Sequence, residues 1–350
     1  MKTKKKQKKS KGKSKSNRKL IIIAISIVVL LITMVVCGAS YCLKKYDGET
    51  CWIKISNDSE SALKDSLISN LGKDYGLRVY QMWYLMGGNA LASQGAYKVE
   101  PGISAFTLGK SLKNNYQTPV RVVFNSVRTM DMLAEKISQN MMFEKGDFLN
   151  ACDEVLSVEG FDKKEYPAIF FPDTYEFYWN ASPQKVVNRL LDYYKKFWTD
   201  EKVAKASEIG LTPIQVSTIA SIVEEETNKS DERPKVARLY LNRIKTGMKL
   251  QADPTVKFAI GDFSLRRITH EHLKIESPYN TYKYKGLPPG PIRVVSKKTL
   301  EGVLDAPQHN YIYMCAKEDF SGYHNFAEDY VQHLSNARRY QAELNRRKIK

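Results

Sequence analysis

Three consecutive glutamates, Glu224, Glu225 and Glu226, are the residues of this sequence best suited to acid–base chemistry. They end an apolar stretch with helical spacing. A helix advances about 100° per residue, which turns Glu226 to about 20° from Ile219, in the middle of the apolar face. By the same geometry, Glu224 and Glu225 are predicted to lie on the flanks of the helix, where solvent normally is.

A carboxyl that faces apolar surroundings is costly to ionise. The pKa of Glu226 is therefore expected to rise, so that the group holds a proton near neutral pH and can act as a general acid. The pattern also allows a structural alternative. In that alternative, the helix ends before Glu226, or one of three nearby arginines pairs with it: Arg233, Arg238 or Arg243.

Two helices are predicted to position this acid. The first starts at Thr212, because its spacing to Gln215 makes a capping box and Pro213 suits the first helical turn. The second runs from about residue 231 to residue 245 and ends at Gly247. The polar loop after it is expected to return toward the end of the first helix.

Residues 277–292 contain too much proline and glycine for regular structure. Tyr279, Tyr282 and Tyr284 in this segment offer flat faces with hydroxyl groups, a surface on which sugar rings can rest. The segment is equally consistent with a rigid connector.

The formal net charge of +17 is concentrated in a tail, because residues 1–19 hold eleven Lys and Arg and no acid. Removing these eleven charges leaves +6, so no nucleic-acid partner is expected. Residues 20–43 carry no charged side chain and are long enough, at about 1.5 Å per residue, to span a bilayer core of about 30 Å. We expect an uncleaved anchor, with a cleavable signal peptide as the alternative.

The positive-inside rule places the basic tail in the cytoplasm and the chain from about residue 46 on the far side of the membrane. The five cysteines show no disulfide framework or ligand spacing, and His270 and His272 form an isolated pair. No metal and no cofactor are therefore predicted.

The predicted fold class is α+β. Residues 1–19 form the tail and residues 20–43 the membrane helix, and residues 44–118 are predicted to form a small membrane-proximal domain with a strand at 95–99 and a helix at 104–112. Residues 119–350 are predicted to form a larger mixed domain that carries the acid on a helix.

Several motifs, in one order along the chain, closely resemble the endolytic murein transglycosylases, also called the YceG-like family. The resemblance covers about residues 95–335. The motifs are Phe-Pro-Asp-Thr-Tyr at 171–175, Ala-Ser-Ile-Val-Glu-Glu-Glu-Thr at 220–227, Leu-Asn-Arg at 241–243, Gly-Met-Lys-Leu-Gln-Ala-Asp-Pro-Thr-Val at 247–256, Tyr-Asn-Thr-Tyr at 279–282, Gly-Leu-Pro-Pro-Gly-Pro-Ile at 286–292 and Gly-Tyr-His-Asn-Phe at 322–326.

The resemblance implies a single-pass enzyme of the bacterial inner (plasma) membrane, with its catalytic domain in the periplasm or outside the cell. Such an enzyme cuts peptidoglycan strands between N-acetylmuramic acid and N-acetylglucosamine, leaves a 1,6-anhydromuramic end and terminates strand elongation. Its partners would be glycan strands and the glycan polymerases and transpeptidases of cell-wall synthesis. Residues 44–118 would correspond to a LysM-like, glycan-binding domain.

The family's catalytic glutamate is the second acid of an E-x-E pattern, which falls on Glu226. Helical geometry selects the same residue independently. Arg243 is expected to brace the structure. The resemblance, together with residue chemistry, assigns six residues to the substrate: Asn242, Gln251, Asp253, Tyr279, Asn280 and Tyr282.

Two segments depart from the family's pattern. Residues 293–296 read Arg-Val-Val-Ser where the family often has Asn-Pro-Gly, and residues 124–127 read Phe-Asn-Ser-Val in place of Pro-Glu-Gly. Two other functions stay open. One is a muramidase that uses Asp253 as a second carboxylate acting through water, and the other is a noncatalytic, membrane-anchored peptidoglycan-binding scaffold.

Overall fold

The structure is a computed structural model that describes residues 4–56, 59–125, 127–265 and 267–348, with side chains described from residue 18 onward. The described chain is a mixture of helices and short strands, which confirms the predicted α+β class. It divides into two compact units. The first comprises Met1–Pro119 with Tyr178–Asn180, and the second comprises Val120–Phe177 with Ala181–Lys350.

The first unit begins with a long helix and continues as a small α/β arrangement. Its elements are α1 (Lys4–Cys42), β1 (Cys51–Ile55), α2 (Glu60–Leu71), α3 (Lys73–Leu85), β2 (Gly95–Val99) and α4 (Ala105–Lys113). Strand β1 pairs antiparallel with β2, so that Cys51 lies opposite Val99. The strand predicted at 95–99 is confirmed, and the helix predicted at 104–112 is confirmed with its start and its end each one residue later.

The core of the first unit lies where α2, α3 and α4 pack together and against the strand pair. Leu63 and Leu67 of α2 are buried together with Val79 and Trp83 of α3. The indole Nε1 of Trp83 donates a hydrogen bond of 2.9 Å to the Ser93 hydroxyl, so the one polar atom of this ring is satisfied inside the core.

Helix α1 contains one segment, Arg18–Cys42, that is long and apolar enough to cross a membrane, with a mean hydropathy of 3.3. Its large apolar residues from Leu20 to Val36 are exposed, whereas Tyr41 and Cys42 at its end pack against the core of the first unit. A core helix would be buried, so the exposed apolar surface is consistent with a membrane anchor or with a signal sequence, both of which have this composition.

The second unit places four of its helices around one central helix. Its elements are β3 (Val120–Phe124), α5 (Met130–Ser138), α6 (Lys145–Leu156), β4 (Asp173–Phe177), α7 (Pro183–Phe197), α8 (Asp200–Glu208), α9 (Pro213–Glu226), α10 (Arg233–Lys245), α11 (Asp253–Ile260), α12 (Lys297–Leu304), β5 (Tyr313–Ala316), β6 (His324–Ala327) and α13 (Tyr330–Arg346). Strands β3 and β4 form one antiparallel pair, and β5 and β6 form another.

Helix α9 is the central helix of this unit. It packs against α8, α10, α11 and α12, and every residue from Val216 to Glu224 is buried. A helix enclosed on all sides has no solvent face, so its polar side chains need partners inside the protein. Ser217 and Thr218 meet this need by donating to the carbonyls of Pro213 and Ile214, one turn earlier.

Candidate active site

The capping box predicted at the start of α9 is present. The backbone N–H of Thr212 donates to the Gln215 side chain at 2.9 Å, and the backbone N–H of Gln215 donates to the Thr212 hydroxyl at 3.3 Å. The helix ends at Glu226, because Thr227 is extended, with φ of −138° and ψ of 133°. The helix is therefore capped at its start, and Glu226 is its last residue.

Glu226 is partly buried, and one polar side chain holds it. The hydroxyl of Tyr240, a buried residue of α10, donates a hydrogen bond of 2.7 Å to Glu226 Oε1. Burial raises the pKa of Glu226 from 4.5 to about 7; the hydrogen bond from Tyr240 opposes this shift, and the nearby charge of Asp253 adds to it. His324 and Arg243 lower this pKa by smaller amounts. The carboxyl is therefore protonated in a large fraction of molecules near neutral pH.

The prediction that solvent covers Glu224 and Glu225 is wrong, because α9 is enclosed on both flanks. Glu224 is buried, and its Oε2 accepts hydrogen bonds from the hydroxyls of Thr299 (2.6 Å) and Ser296 (2.9 Å). Arg293 lies 3.7 Å from the other oxygen of Glu224.

Glu225 is held by two arginines, with its Oε2 2.9 Å from Arg128 and its Oε1 2.8 Å from Arg293. Among the described residues, Glu226 makes no ion pair, and none of the three arginines considered from the sequence pairs with it. The three neighbouring acids thus differ sharply in their surroundings.

Asp253 and Tyr282 are brought together beside Glu226. The Tyr282 hydroxyl donates a hydrogen bond of 2.6 Å to Asp253 Oδ1, at the first residue of α11. Burial, this hydrogen bond and the charges of Asp253 and Glu226 raise the pKa of Tyr282 well above its usual value. The charge of Asp253 raises the pKa of Glu226, and the charge of Glu226 raises that of Tyr282. The structure therefore brings these three predicted site residues together.

Gln251 occupies a tight turn next to this pair. It has a positive φ of 50°, and its backbone N–H donates to the Thr281 carbonyl at 3.2 Å. The Thr281 hydroxyl in turn accepts from the N–H of Ala252 at 3.0 Å. The Gln251 side chain is exposed and makes no hydrogen bond within the described chain. Its amide is therefore free to contact a ligand.

Asn280 and Tyr279, two of the predicted substrate residues, differ in how much surface they leave open to a ligand. Asn280 is fully buried, and its Nδ2 donates to the carbonyls of Leu273 and Ile275, both at 2.9 Å. The prediction of direct substrate contact is wrong for Asn280 in this conformation, because no surface and no amide hydrogen remains for a ligand. Tyr279 is half-buried and packs on Phe258, with ring centroids 4.8 Å apart.

Asn242 also uses its amide inside the protein. Its Nδ2 donates to the carbonyls of His309 (2.7 Å) and Tyr311 (3.1 Å), which leaves only its oxygen for other contacts. Its neighbour Arg243 is buried and donates to the carbonyl of Ile312 at 2.7 Å and to that of Leu250. Arg243 braces the loops around the site, as the sequence analysis predicted.

Tyr240, His324 and Glu232 also belong to the site, although no role was predicted for them from the sequence. His324 Nδ1 donates to Glu232 Oε2 at 2.8 Å, and the His324 backbone N–H donates to the other oxygen at 2.8 Å. Burial alone would raise the pKa of Glu232, but the hydrogen bonds from His324 lower it. A signal was available for two of them, since Tyr240 lies on the inward face of α10 and His324 lies in the motif at 322–326.

The fold defines an α+β protein with a central buried helix. The last residue of this helix is Glu226, a carboxyl with a raised pKa that makes no ion pair within the described chain. The chain belongs to the YceG-like family, whose model matches residues 61–339. A crystal structure of a YceG-like protein from Listeria monocytogenes superposes with a TM-score of 0.53 at 23% identity, covering 82% of this chain and 99% of that one. This likeness supports the fold.

Two curated relatives share sequence with part of the chain. One, named endolytic murein transglycosylase, is from Bacillus subtilis and is 35% identical over 154 residues, which are 43% of this chain and 41% of the relative. A protein of the same name from Streptococcus pneumoniae is 29% identical over 171 residues, covering 47% of this chain and 31% of the relative. The match thus spans less than half the length of either relative.

Proposed function

We propose that this protein is an endolytic murein transglycosylase that cuts peptidoglycan strands between N-acetylmuramic acid and N-acetylglucosamine. The observation that carries the proposal is Glu226, a partly buried carboxyl with a pKa near 7 and no ion pair within the described residues. Membership of the YceG-like family and the names of the two relatives support it.

In the proposed reaction, Glu226 first gives its proton to the glycosidic oxygen as the bond from this oxygen to muramic C1 breaks. Glu226, now a carboxylate, then takes the proton of the C6 hydroxyl of the same sugar while O6 bonds to C1. The acid is regenerated and no water is consumed. The internal hydroxyl has a high effective concentration, so a second carboxylate to activate water is not needed.

The surrounding residues have separate roles in this proposal. The Tyr240 hydroxyl stabilises the carboxylate form of Glu226 between the two steps. The Asp253 carboxylate stabilises positive charge that develops at C1, while Gln251, Tyr282 and Tyr279 contact the N-acetyl groups and the sugar faces. Asn242 and Asn280 act indirectly, by fixing the loops that carry these groups.

A muramidase is the second candidate, because Asp253 supplies an exposed carboxylate whose charge acts on Glu226. In that reaction Asp253 would activate a water molecule, and the product would carry a reducing end. The transglycosylase product is one water lighter, so the two reactions are separated by mass.

We further propose that α1 anchors the protein in the plasma membrane with its basic end in the cytoplasm, so that the second unit acts on strands at the outer face. The first unit would bind glycan as a LysM-like domain. Cutting strands near the membrane would terminate their elongation, with glycan polymerases and transpeptidases as neighbours.

The test uses the full chain in detergent micelles, incubated with uncrosslinked glycan strands whose products are weighed. We expect fragments with 1,6-anhydromuramic ends from the wild type and none from Glu226→Gln. Glu208→Gln, which changes an exposed glutamate on α8, is the matched control and should cleave like the wild type. Reducing ends would favour the muramidase, and cleavage by Glu226→Gln would reject the assignment of the acid.

A further inference from the structure

A small cavity of about 30 Å³ is lined in part by the sequence neighbours of Glu226 and Asp253. It is lined by Arg128, Glu225, Pro254, Lys257, Phe258 and Phe263, and we call it the Lys257 cavity. Glu225 directly precedes Glu226 on α9, and Pro254 directly follows Asp253 on α11. Phe258 in the cavity lining also packs on Tyr279, with ring centroids 4.8 Å apart, so the cavity adjoins the candidate site there, and its volume suits one small polar group.

The charges that line the Lys257 cavity favour an anion. Arg128 is fixed by two hydrogen bonds to Glu225, of 3.0 and 2.9 Å, and its guanidinium lies 5.2 Å from the centre of the Phe263 ring. Glu225 also pairs with Arg293 at 2.8 Å, so two arginines already share its single negative charge. Arg293 also lies 3.7 Å from Glu224, so within the cavity lining the positive charge in excess of Glu225 comes from Arg128 and Lys257 together.

Lys257 adds a further cation to this wall. Its side chain is partly exposed and makes no hydrogen bond or ion pair within the part of the chain that the structure describes. A lysine without an acidic partner, beside an aromatic wall that limits water, attracts a carboxylate more strongly than a fully exposed lysine does.

The two segments that depart from the family's pattern meet behind this cavity. The N–H of Val294 donates to the carbonyl of Val127 at 2.8 Å, and Arg128 and Arg293 both bind Glu225. One residue of the first segment, Ser126, lies outside the described residues. Arg128 directly follows the first segment and Arg293 begins the second, so both segments lie beside the ion pairs that hold Glu225.

We propose that the Lys257 cavity binds a carboxylate carried by the muramic acid side of the substrate, next to the bond that is cut. This inference rests on the proposed function and adds a substrate preference to it. The N-acetylated sugar rings are neutral, so the carboxylate must come from the substituent on muramic acid. It is either a free carboxylate of the peptide stem or, in peptide-free strands, the lactyl carboxylate.

The test compares two pairs of substrates with the full chain in detergent micelles. The first pair is peptide-bearing strands, untreated or with their carboxylates coupled to methylamine. The second pair is peptide-free strands, with the lactyl carboxylate free or coupled in the same way. For at least one pair, we expect neutralisation to lower kcat/KM of the wild type about fivefold, the effect of one partly screened ion pair. The pair that responds identifies the source.

Lys257→Gln should reduce this substrate discrimination to less than twofold, whereas Lys257→Arg should keep it. Lys196→Gln, which removes an exposed lysine of α7, is the matched control and should also keep it. The inference is overturned if neutralisation changes neither pair, or if Lys257→Gln discriminates as the wild type does. If the wild type cuts no strand at all, the proposed function fails and this inference fails with it.

Discussion

At the scale of single residues, the surroundings of three adjacent glutamates decide which of them can donate a proton. Arginines and hydroxyls bind the carboxyl groups of Glu224 and Glu225. Within the described residues, Glu226 is bound only by the Tyr240 hydroxyl, and burial raises its pKa to about 7. The same type of side chain therefore serves as a structural anion at two positions and as a proton donor at the third.

Replacing Glu226 with Gln should stabilise the protein at high pH. The pKa of Glu226 is about 7 when folded and 4.5 at its ordinary value, so the folded state binds more protons between these pH values. The free energy of unfolding of the wild type therefore falls as pH rises from 4.5 to 7. We expect Glu226→Gln to gain about 3 kcal/mol relative to the wild type above pH 7 and nothing near pH 4.

Urea unfolding at pH 4, 6 and 8 measures this difference, with Glu208→Gln as the control for the loss of an exposed glutamate. A gap between wild type and Glu226→Gln that stays constant with pH would mean that Glu226 has an ordinary pKa.

Replacing Tyr240 with Phe should shift the pH dependence of cleavage. The Tyr240 hydroxyl stabilises the carboxylate form of Glu226, so its removal raises the pKa of that group further. The alkaline limb of kcat/KM, where the general acid loses its proton, should move up by about one pH unit. An unchanged limb, measured between pH 5 and 9, would show that Tyr240 does not control the acid.

The sequence was sufficient to select Glu226, because helical periodicity depends only on local spacing. It was insufficient for Glu224 and Asn280. Their partners lie far away in the chain or in irregular loops: Glu224 binds Thr299, 75 positions later, and Asn280 binds loop carbonyls that no periodicity predicts. Residue types in a motif therefore predicted membership of the site better than they predicted which side chains face a ligand.

At the scale of elements, the position of the acid depends on how α9 is held at both ends. The capping box at Thr212 and Gln215 defines its start. Its last turn is fixed by ion pairs, in which Arg293 contacts Glu224 and Glu225 and Arg128 contacts Glu225. The start was predictable because capping is local, whereas the end depends on arginines from two distant segments. The assumption of an amphipathic helix failed because other helices cover α9 on all sides.

Replacing Arg293 with Met should destabilise the second unit by about 3 kcal/mol, because it leaves the buried Glu224 and the mostly buried Glu225 with fewer cationic partners. Urea unfolding near pH 7 measures the loss. Arg121→Met, at an exposed position of β3, is the control and should change the stability by less than about 0.5 kcal/mol. A loss below about 1 kcal/mol for Arg293→Met would contradict the role given to this arginine.

At the scale of the whole molecule, the chain combines one exposed apolar helix with two compact units. The sequence predicted this helix from composition and length, which need no tertiary information. Composition could not decide between an anchor and a signal sequence, since both present an apolar segment near the N-terminus.

Deleting residues 2–43 should move the protein from the membrane fraction to the soluble fraction, because it removes the apolar segment Arg18–Cys42 together with the basic tail. Deleting residues 2–17 alone, which keeps the apolar segment, should leave the protein in the membrane fraction. Fractionation and the intact mass of the extracted protein measure both results. A wild-type protein that has lost its first 40 or so residues would indicate a cleaved signal sequence instead.

The most direct test of the account is the titration of the Glu226 carboxyl itself. Infrared difference spectra of the wild type and Glu226→Gln isolate the carbonyl band of the protonated group in the full chain. We expect this band to be present at pH 5 and to disappear with a midpoint near pH 7. A midpoint near 4.5, the ordinary value for glutamate, would contradict the claim that Glu226 is a proton donor near neutral pH.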